Sequence, residues 1–78
     1  MKAIISTAVD LGKLIRQVRL KQNLKQTDLA TASGTGERFI VDLERGKSTC
    51  EFDKAVHVAR MLGIKLEVNL PGITDEQE

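Results

Sequence analysis

Hydrophobic positions along the first two-thirds of the chain recur at helical spacing. Leu11, Leu14, Ile15 and Val18 form one stripe, with Lys13, Arg16, Gln17 and Lys21 mostly off it, which is the pattern of a helix that buries one face. Thr7 followed by Asp10 resembles a capping box with Asp in place of the usual Glu or Gln. The first helix therefore runs from there to about Gln22, and Asn23, which tolerates the left-handed conformation, ends it. A second helix spans about Gln26 to Ser33 with Leu29 and Ala30 facing inward, and it stops at Gly34. After a Thr35-Gly36 turn, a third helix covers Glu37 to about Glu44. Its Ile40 and Leu43 share a face at i, i+3, while Glu37, Arg38 and Asp42 point elsewhere. Glu37 suits the positive end of the helix dipole, and Arg45-Gly46 closes the element with Gly46 left-handed. A loop through Lys47 and Ser48 leads to a second capping box, Ser48/Glu51, with Thr49 as an alternative cap. The fourth helix carries Phe52, Val56, Ala59 and Leu62 at helical spacing, and Gly63 ends it.

Beyond Gly63 the period changes. Ile64, Leu66, Val68 and Leu70 alternate with Lys65, Glu67 and Asn69, the signature of a half-buried strand. Pro71-Gly72 terminates it, and Ile73 to Glu78 is polar and expected to be disordered. A lone strand leaves its backbone donors and acceptors unpartnered. Three arrangements answer this: pairing with the Ala3–Ile5 arm, packing as an extended tail on the chain's own helices, or antiparallel pairing with the same strand of a second subunit. The dimer is favoured, because small domains gain core by oligomerising. The expected organisation is thus an N-terminal arm (1–6), a helical domain (7–63), a dimerisation strand (64–70) and a flexible acidic tail (71–78).

Composition narrows the function. Seventy-eight residues make one domain. The single cysteine, Cys50, excludes an internal disulfide, and Cys50 with His57 falls short of a zinc site, so no metal or other cofactor is expected. No apolar run approaches the roughly 20 residues of a membrane span, and the Met1–Ile5 start is too short for a signal peptide's apolar region. A soluble cytoplasmic domain is expected. The net charge is +1, but the tail carboxylates Asp75, Glu76 and Glu78 account for three of the 11 acidic residues, which leaves a body of +4. A mildly basic body fits nucleic acid and many ordinary domains alike. With only Phe39 and Phe52 as aromatics, the stacking platforms of single-strand or RNA binding are missing. Phe52 is expected in the core, and Phe39 at a thymine methyl or an interface. His57 reads as a surface or dimer-interface residue. Cys50, near a helix start, could have a lowered pKa, although a small cap-region filler is the better reading. No nucleophile–base–orienter set or paired carboxylate cleft is evident, so the chain is not expected to be an enzyme.

Two helices joined by a short glycine turn form a helix-turn-helix unit, whose second helix can enter the major groove. The run Gln26-Thr27-Asp28-Leu29-Ala30, then Gly34, Ile40 and Leu43-Glu44-Arg45-Gly46-Lys47 resembles the lambda-repressor-like, or XRE-type, helix-turn-helix family over about Leu11 to Leu62. The following Gly63-Ile64-Lys65-Leu66-Glu67-Val68 looks like the HipB-type antitoxin subgroup, in which a short strand pairs across the dimer. That resemblance implies a mostly α fold: a four- to five-helix domain with a C-terminal β-strand pairing across a dimer through Ile64, Leu66, Val68 and Leu70. It implies that Gln26 bonds a DNA phosphate from a helix start. It places Thr35, Gly36, Glu37, Arg38 and Asp42 at the turn and on the exposed face of the recognition helix, and Arg45 and Lys47 at backbone contacts after it. Arg19 and Glu44 match a structural salt bridge of some relatives. The chain departs from the family pattern at Lys25 and Gly36, which replace Ser or Thr caps, and at Phe39, which is bulkier than usual.

Arg38 is the strongest candidate for base readout, since its fork matches O6 and N7 of guanine; its plain alternative is a surface partner for Asp42 at i+4. Glu37 divides evenly between accepting from cytosine N4 and favouring the helix dipole. Asp42 reads better as a tether for Arg38 or Arg45 than as a reader of bases. Arg45 and Lys47 add salt-sensitive, non-specific affinity.

The leading reading is a homodimeric repressor that binds a palindromic operator in double-stranded DNA. It would also neutralise a HipA-type kinase toxin as the antitoxin of a type II toxin-antitoxin module, repressing its own operon. Two alternatives stay open: a phage or restriction-controller regulator without a toxin partner, and a protein-interaction module that no longer reads DNA, suggested by the acidic Glu37 and Asp42.

Overall fold

A computed structural model describes residues 1–72; the expectation for the acidic tail falls largely on 73–78, outside the described residues. Among the described residues four α-helices follow one another, α1 (Ala8–Lys21), α2 (Gln26–Ser33), α3 (Glu37–Glu44) and α4 (Phe52–Met61). The start of α1 is the capping box of Thr7 and Asp10. The Asp10 N–H donates to Thr7 Oγ1 at 3.2 Å, and Asp10 Oδ2 accepts from the N–H groups of Thr7 at 3.1 Å and Ser6 at 2.9 Å. The Ser6 N–H foremost, with Thr7 adding, holds the Asp10 carboxyl below its ordinary range.

All four helices end in the same way. Asn23, Gly34, Gly46 and Gly63 take φ of 59, 69, 82 and 83°, and the next amide reaches back five residues. Leu24 donates to the Arg19 carbonyl, Thr35 to Ala30, Lys47 to Asp42 and Ile64 to Ala59, at 3.0–3.2 Å. This 6→1 closure satisfies carbonyls that a helix end leaves open. Three of the four left-handed positions are glycine, where a Cβ would be strained.

Each helix contributes one large, fully buried side chain to the centre of the core: Ile15, Leu29, Ile40 and Val58. Burying each stabilises the fold by about 1.5–3 kcal/mol. Around them pack Ala30, Leu43, Ala55 and Leu62, with Leu11, Val18, Leu24, Phe39 and Ile64 at the edges. Gly12 lets the α1 backbone lie against the end of α3: a Cβ there would stand 2.3 Å from the Leu43 carbonyl oxygen and 2.8 Å from that of Glu44. At the other end of α1, Gln22 Nε2 donates to the Leu62 carbonyl at 2.8 Å and fastens α1 to α4.

The structure corrects two expectations. The Ser48/Glu51 capping box does not form, and Thr49 is not the cap either: residues 47–50 turn first, Glu51 occupies the N-cap without a side-chain bond, and α4 begins at Phe52. The turn tucks Cys50 against the core before a helix can start. Phe52 is not core but 74% exposed. It shares a stripe with Ala55 and Ala59, but its first turn lies at the rim, where Phe52 and Ile5 of the N-terminal arm line the same shallow pocket. Within the single chain, neither Ile64–Leu70 nor Ala3–Ile5 forms a strand. Only Ile64 is partly buried; Leu66, Val68 and Leu70 are 44%, 81% and 54% exposed. An extended segment acquires its ladder only from a partner, and the described residues of one chain offer none.

Candidate nucleic-acid interface

The turn between α2 and α3 is set by backbone geometry and two hydroxyls. Gly34 takes the left-handed bend, while Ser33 Oγ donates to the Leu29 carbonyl at 2.7 Å and shares a 3.0 Å hydrogen bond with Thr35 Oγ1. Gly36 follows in an extended conformation as the N-cap of α3 and is exposed, with nothing within 4 Å of a Cβ built there. Because Ile40 and Leu43 anchor the inner face of α3, Glu37 and Arg38 in its first turn are left exposed. A short helix whose inner face is pinned by a preceding helix and whose outer face is bare has the geometry that enters a major groove.

At the base of this unit lies a buried ion pair. Arg19 Nε reaches Glu44 Oε2 at 2.6 Å and Nη2 reaches Oε1 at 2.9 Å, while Nη1 donates to the Leu24 carbonyl at 2.8 Å. The side chains are 7% and 3% exposed. The hydrogen bonds that Arg19 donates to Glu44 raise the Arg19 pKa above its ordinary value against the opposing effect of burial. Gln26, the first residue of α2, is half-buried, and its Nε2 donates to Glu44 Oε1 at 3.2 Å. Its amide nitrogen therefore serves the ion pair at the very helix start where a phosphate would approach. Before it, Lys25 has no acceptor with which to cap α2; instead its N–H is taken by Asp28 Oδ2 at 2.8 Å.

On the outer side, Asp42 gathers two cations. Its Oδ1 lies 3.3 Å from Arg38 Nε and its Oδ2 lies 3.5 Å from Lys47 Nζ. Asp42 is 16% exposed, against 77% for Arg38 and 55% for Lys47. The tether thus reaches Arg38 and Lys47. Arg45 is the exposed C-cap of α3 and takes part in no ion pair among the described residues. The structure brings together Arg38, Asp42 and Lys47 in one group and Gln26, Glu44 and Arg19 in another, with Thr35, Gly36 and Glu37 leading into α3.

The reading of Cys50 as a lowered-pKa thiol is corrected. Burial pushes its pKa up, the charge of Asp42 adds to this, and Lys47 opposes it. Phe39 is partly buried at the edge of the core and has Lys54 Nζ 5.8 Å from its ring centre, within reach of a cation–π contact. His57 is exposed. Sequence reasoning passed over Gly12, Gln22 and Lys54. Only Gly12 carries a local signal, since a glycine inside a helical pattern often marks close packing. Among the described residues no group of His, Cys, Asp and Glu could hold a metal ion, and no helix is long and apolar enough to cross a membrane.

Residues 15–69 match the Helix-turn-helix family. An uncharacterized HTH-type transcriptional regulator of Sinorhizobium fredii, y4mF, is 47% identical over 68 residues, covering 87% of this chain and 90% of the relative. Among solved structures, a HipB chain from a complex of a HipB variant with an O2 20mer superposes with a TM-score of 0.81 over 88% of this chain and 96% of that one, at 16% identity. At that identity the likeness is one of fold.

Proposed function

This chain belongs to the helix-turn-helix family of transcriptional regulators, and from that membership we propose that it is a homodimeric, sequence-specific DNA-binding repressor that serves as the antitoxin of a HipA-type kinase toxin and represses its own operon. The observation that carries the DNA-binding part is the outer face of α3. Arg38 stands bare on a helix whose inner face is locked, Lys47 lies close by, and the glycine turn leaves the approach open. Arg38 is assigned to base readout, and Arg45, Lys47 and the start of α2 at Gln26 to the phosphate backbone.

The dimer reading rests on the segment Ile64–Leu70. Its Leu66, Val68 and Leu70 side chains are exposed and, beyond the Ile64 N–H, its main chain has no backbone partner among the described residues, and a groove of about 280 Å³ lined by Val56, Arg60, Ile64 and Leu66 runs beside it. A second copy supplies both the ladder and the apolar cover. The antitoxin part is supported by the fold likeness, which spans 96% of the HipB chain. A second reading, a regulator without a toxin partner, draws on the relative at 47% identity, which is named only as a transcriptional regulator.

Sedimentation and operator selection test the first part. The protein should run as a dimer at micromolar concentration and prefer an inverted repeat over random duplex, and Val68→Lys should yield monomers. A monomeric wild type with no such preference would overturn the reading. For the antitoxin part, a HipA-type kinase encoded beside this gene should co-purify with the protein; a neighbourhood without one returns it to the second reading.

A further inference from the structure

Asp42 is unusual in its position. The carboxylate sits on the outer side of the helix assigned to DNA, where it should repel phosphate, yet it holds both neighbouring cations of that face. Its two oxygens are divided, Oδ1 toward Arg38 and Oδ2 toward Lys47. The division is built into the backbone as well, because the Lys47 N–H donates to the Asp42 carbonyl at 3.0 Å and fixes the loop that presents Lys47. Asp42 is itself mostly covered, so its carboxylate is held while the cations around it are free to move.

This arrangement separates two kinds of DNA contact. A phosphate met at random draws on the charges of Arg38 and Lys47, and it must compete with a carboxylate that cannot move away. A guanine edge offers neutral acceptors, O6 and N7, and asks for a forked donor instead. The closest approach of Arg38 to Asp42 is at Nε, 3.3 Å from Oδ1, and the Arg38 side chain is 77% exposed, so the carboxylate directs the guanidinium while a base can still reach it. Building on the DNA-binding reading above, we propose that Asp42 is a specificity-determining residue: it orients Arg38 for base readout and lowers the affinity of this face for DNA of the wrong sequence.

The test compares wild type with Asp42→Asn, which keeps the shape and removes the charge, and with Asp42→Glu, which keeps the charge and moves it. Two probes are used: a poly(dA-dT) duplex, whose major groove offers no O6/N7 acceptor pair, and the duplex that wild type enriches from a random pool. Asp42→Asn should bind poly(dA-dT) about three- to tenfold more tightly, with a salt dependence steeper by about one phosphate contact, and its preference for the enriched duplex should fall by a similar factor. Asp42→Glu should bind poly(dA-dT) less tightly than Asp42→Asn, because the charge stays, yet lose preference for the enriched duplex, because the carboxylate that orients Arg38 has moved. Asp42→Ser is the second neutral variant if Asp42→Asn loses its cooperative melt. An unchanged preference ratio in a folded neutral variant overturns the role of Asp42 while leaving the DNA-binding reading in place. A wild type that binds neither probe at low salt overturns both.

Discussion

Asp42 and Glu44 stand two residues apart on α3, and each is a carboxylate in contact with an arginine. Glu44 is 3% exposed and meets Arg19 through two parallel bonds. Asp42 divides its oxygens between Arg38 and Lys47, whose side chains are mostly in water. Solvent decides what each contact is worth. In the interior, the two charges have given up hydration and depend on each other, so removing either strands the other. At the surface, water and salt screen the attraction, and many such pairs contribute almost nothing to stability. One helix thus carries an ion pair that the fold cannot release and a second that it can lend to a ligand.

The sharpest way to break this contrast is Glu44→Ala. It leaves Arg19 buried with only the Leu24 carbonyl and should cost about 3–5 kcal/mol, a large share of the marginal stability of a domain this size, read from denaturant melts. If Glu44→Ala costs no more than Asp42→Ala, the contrast is wrong. Gly12→Ala comes next. Its Cβ meets backbone carbonyls, which cannot rotate away, so α1 must lift from the end of α3. A loss of about 1–3 kcal/mol is expected despite the better helix propensity of alanine. The same denaturant melts read this loss, and a Gly12→Ala protein as stable as wild type would argue against the close approach.

Arg38→Ala should move the melt by no more than about 0.5 kcal/mol, yet cost on the order of 1–3 kcal/mol of binding at one base position. Titration of variant duplexes against both proteins separates the two numbers. The smallest effect concerns acid. Asp10 has a lowered pKa in the fold, so its capping bonds stabilise the protein above the pKa that Asp10 has in the unfolded chain. That contribution is lost as pH falls through the folded value. Melting temperatures of wild type and Asp10→Asn should therefore converge on acidification, and a constant gap would argue against the assignment.

The contrast between the two carboxylates also marks how far the sequence could be read. Local chemistry was legible. The left-handed residues after each helix, the Thr7–Asp10 box and the inward faces of α2 and α3 are all settled within a few neighbouring residues, and so are the bounds of α2 and α3. Burial was not, because it depends on residues far away. Nothing near Glu44 distinguishes it from Asp42; the distinction lies with Arg19, 25 residues earlier, and only the family resemblance suggested that pairing. Phe52 follows the same logic, since it lies on the right stripe but beyond the end of the core. For Ile64–Leu70 no strand partner lies among the described residues, and the proposed one is a second copy. At the candidate site, the exposed positions around Arg38 were readable as a pattern, whereas the grip of Asp42 on Lys47 depended on the loop conformation after Gly46.

The repeated helix ending has a consequence for motion. The amides of Leu24, Thr35, Lys47 and Ile64 each close one helix with an equivalent bond, so together they make an internal set of four matched clocks for hydrogen–deuterium exchange. If the domain opens only as a whole, the four should exchange at one common free energy of opening. A unit that lets its DNA-facing loop breathe separately would show a faster clock at Lys47 alone.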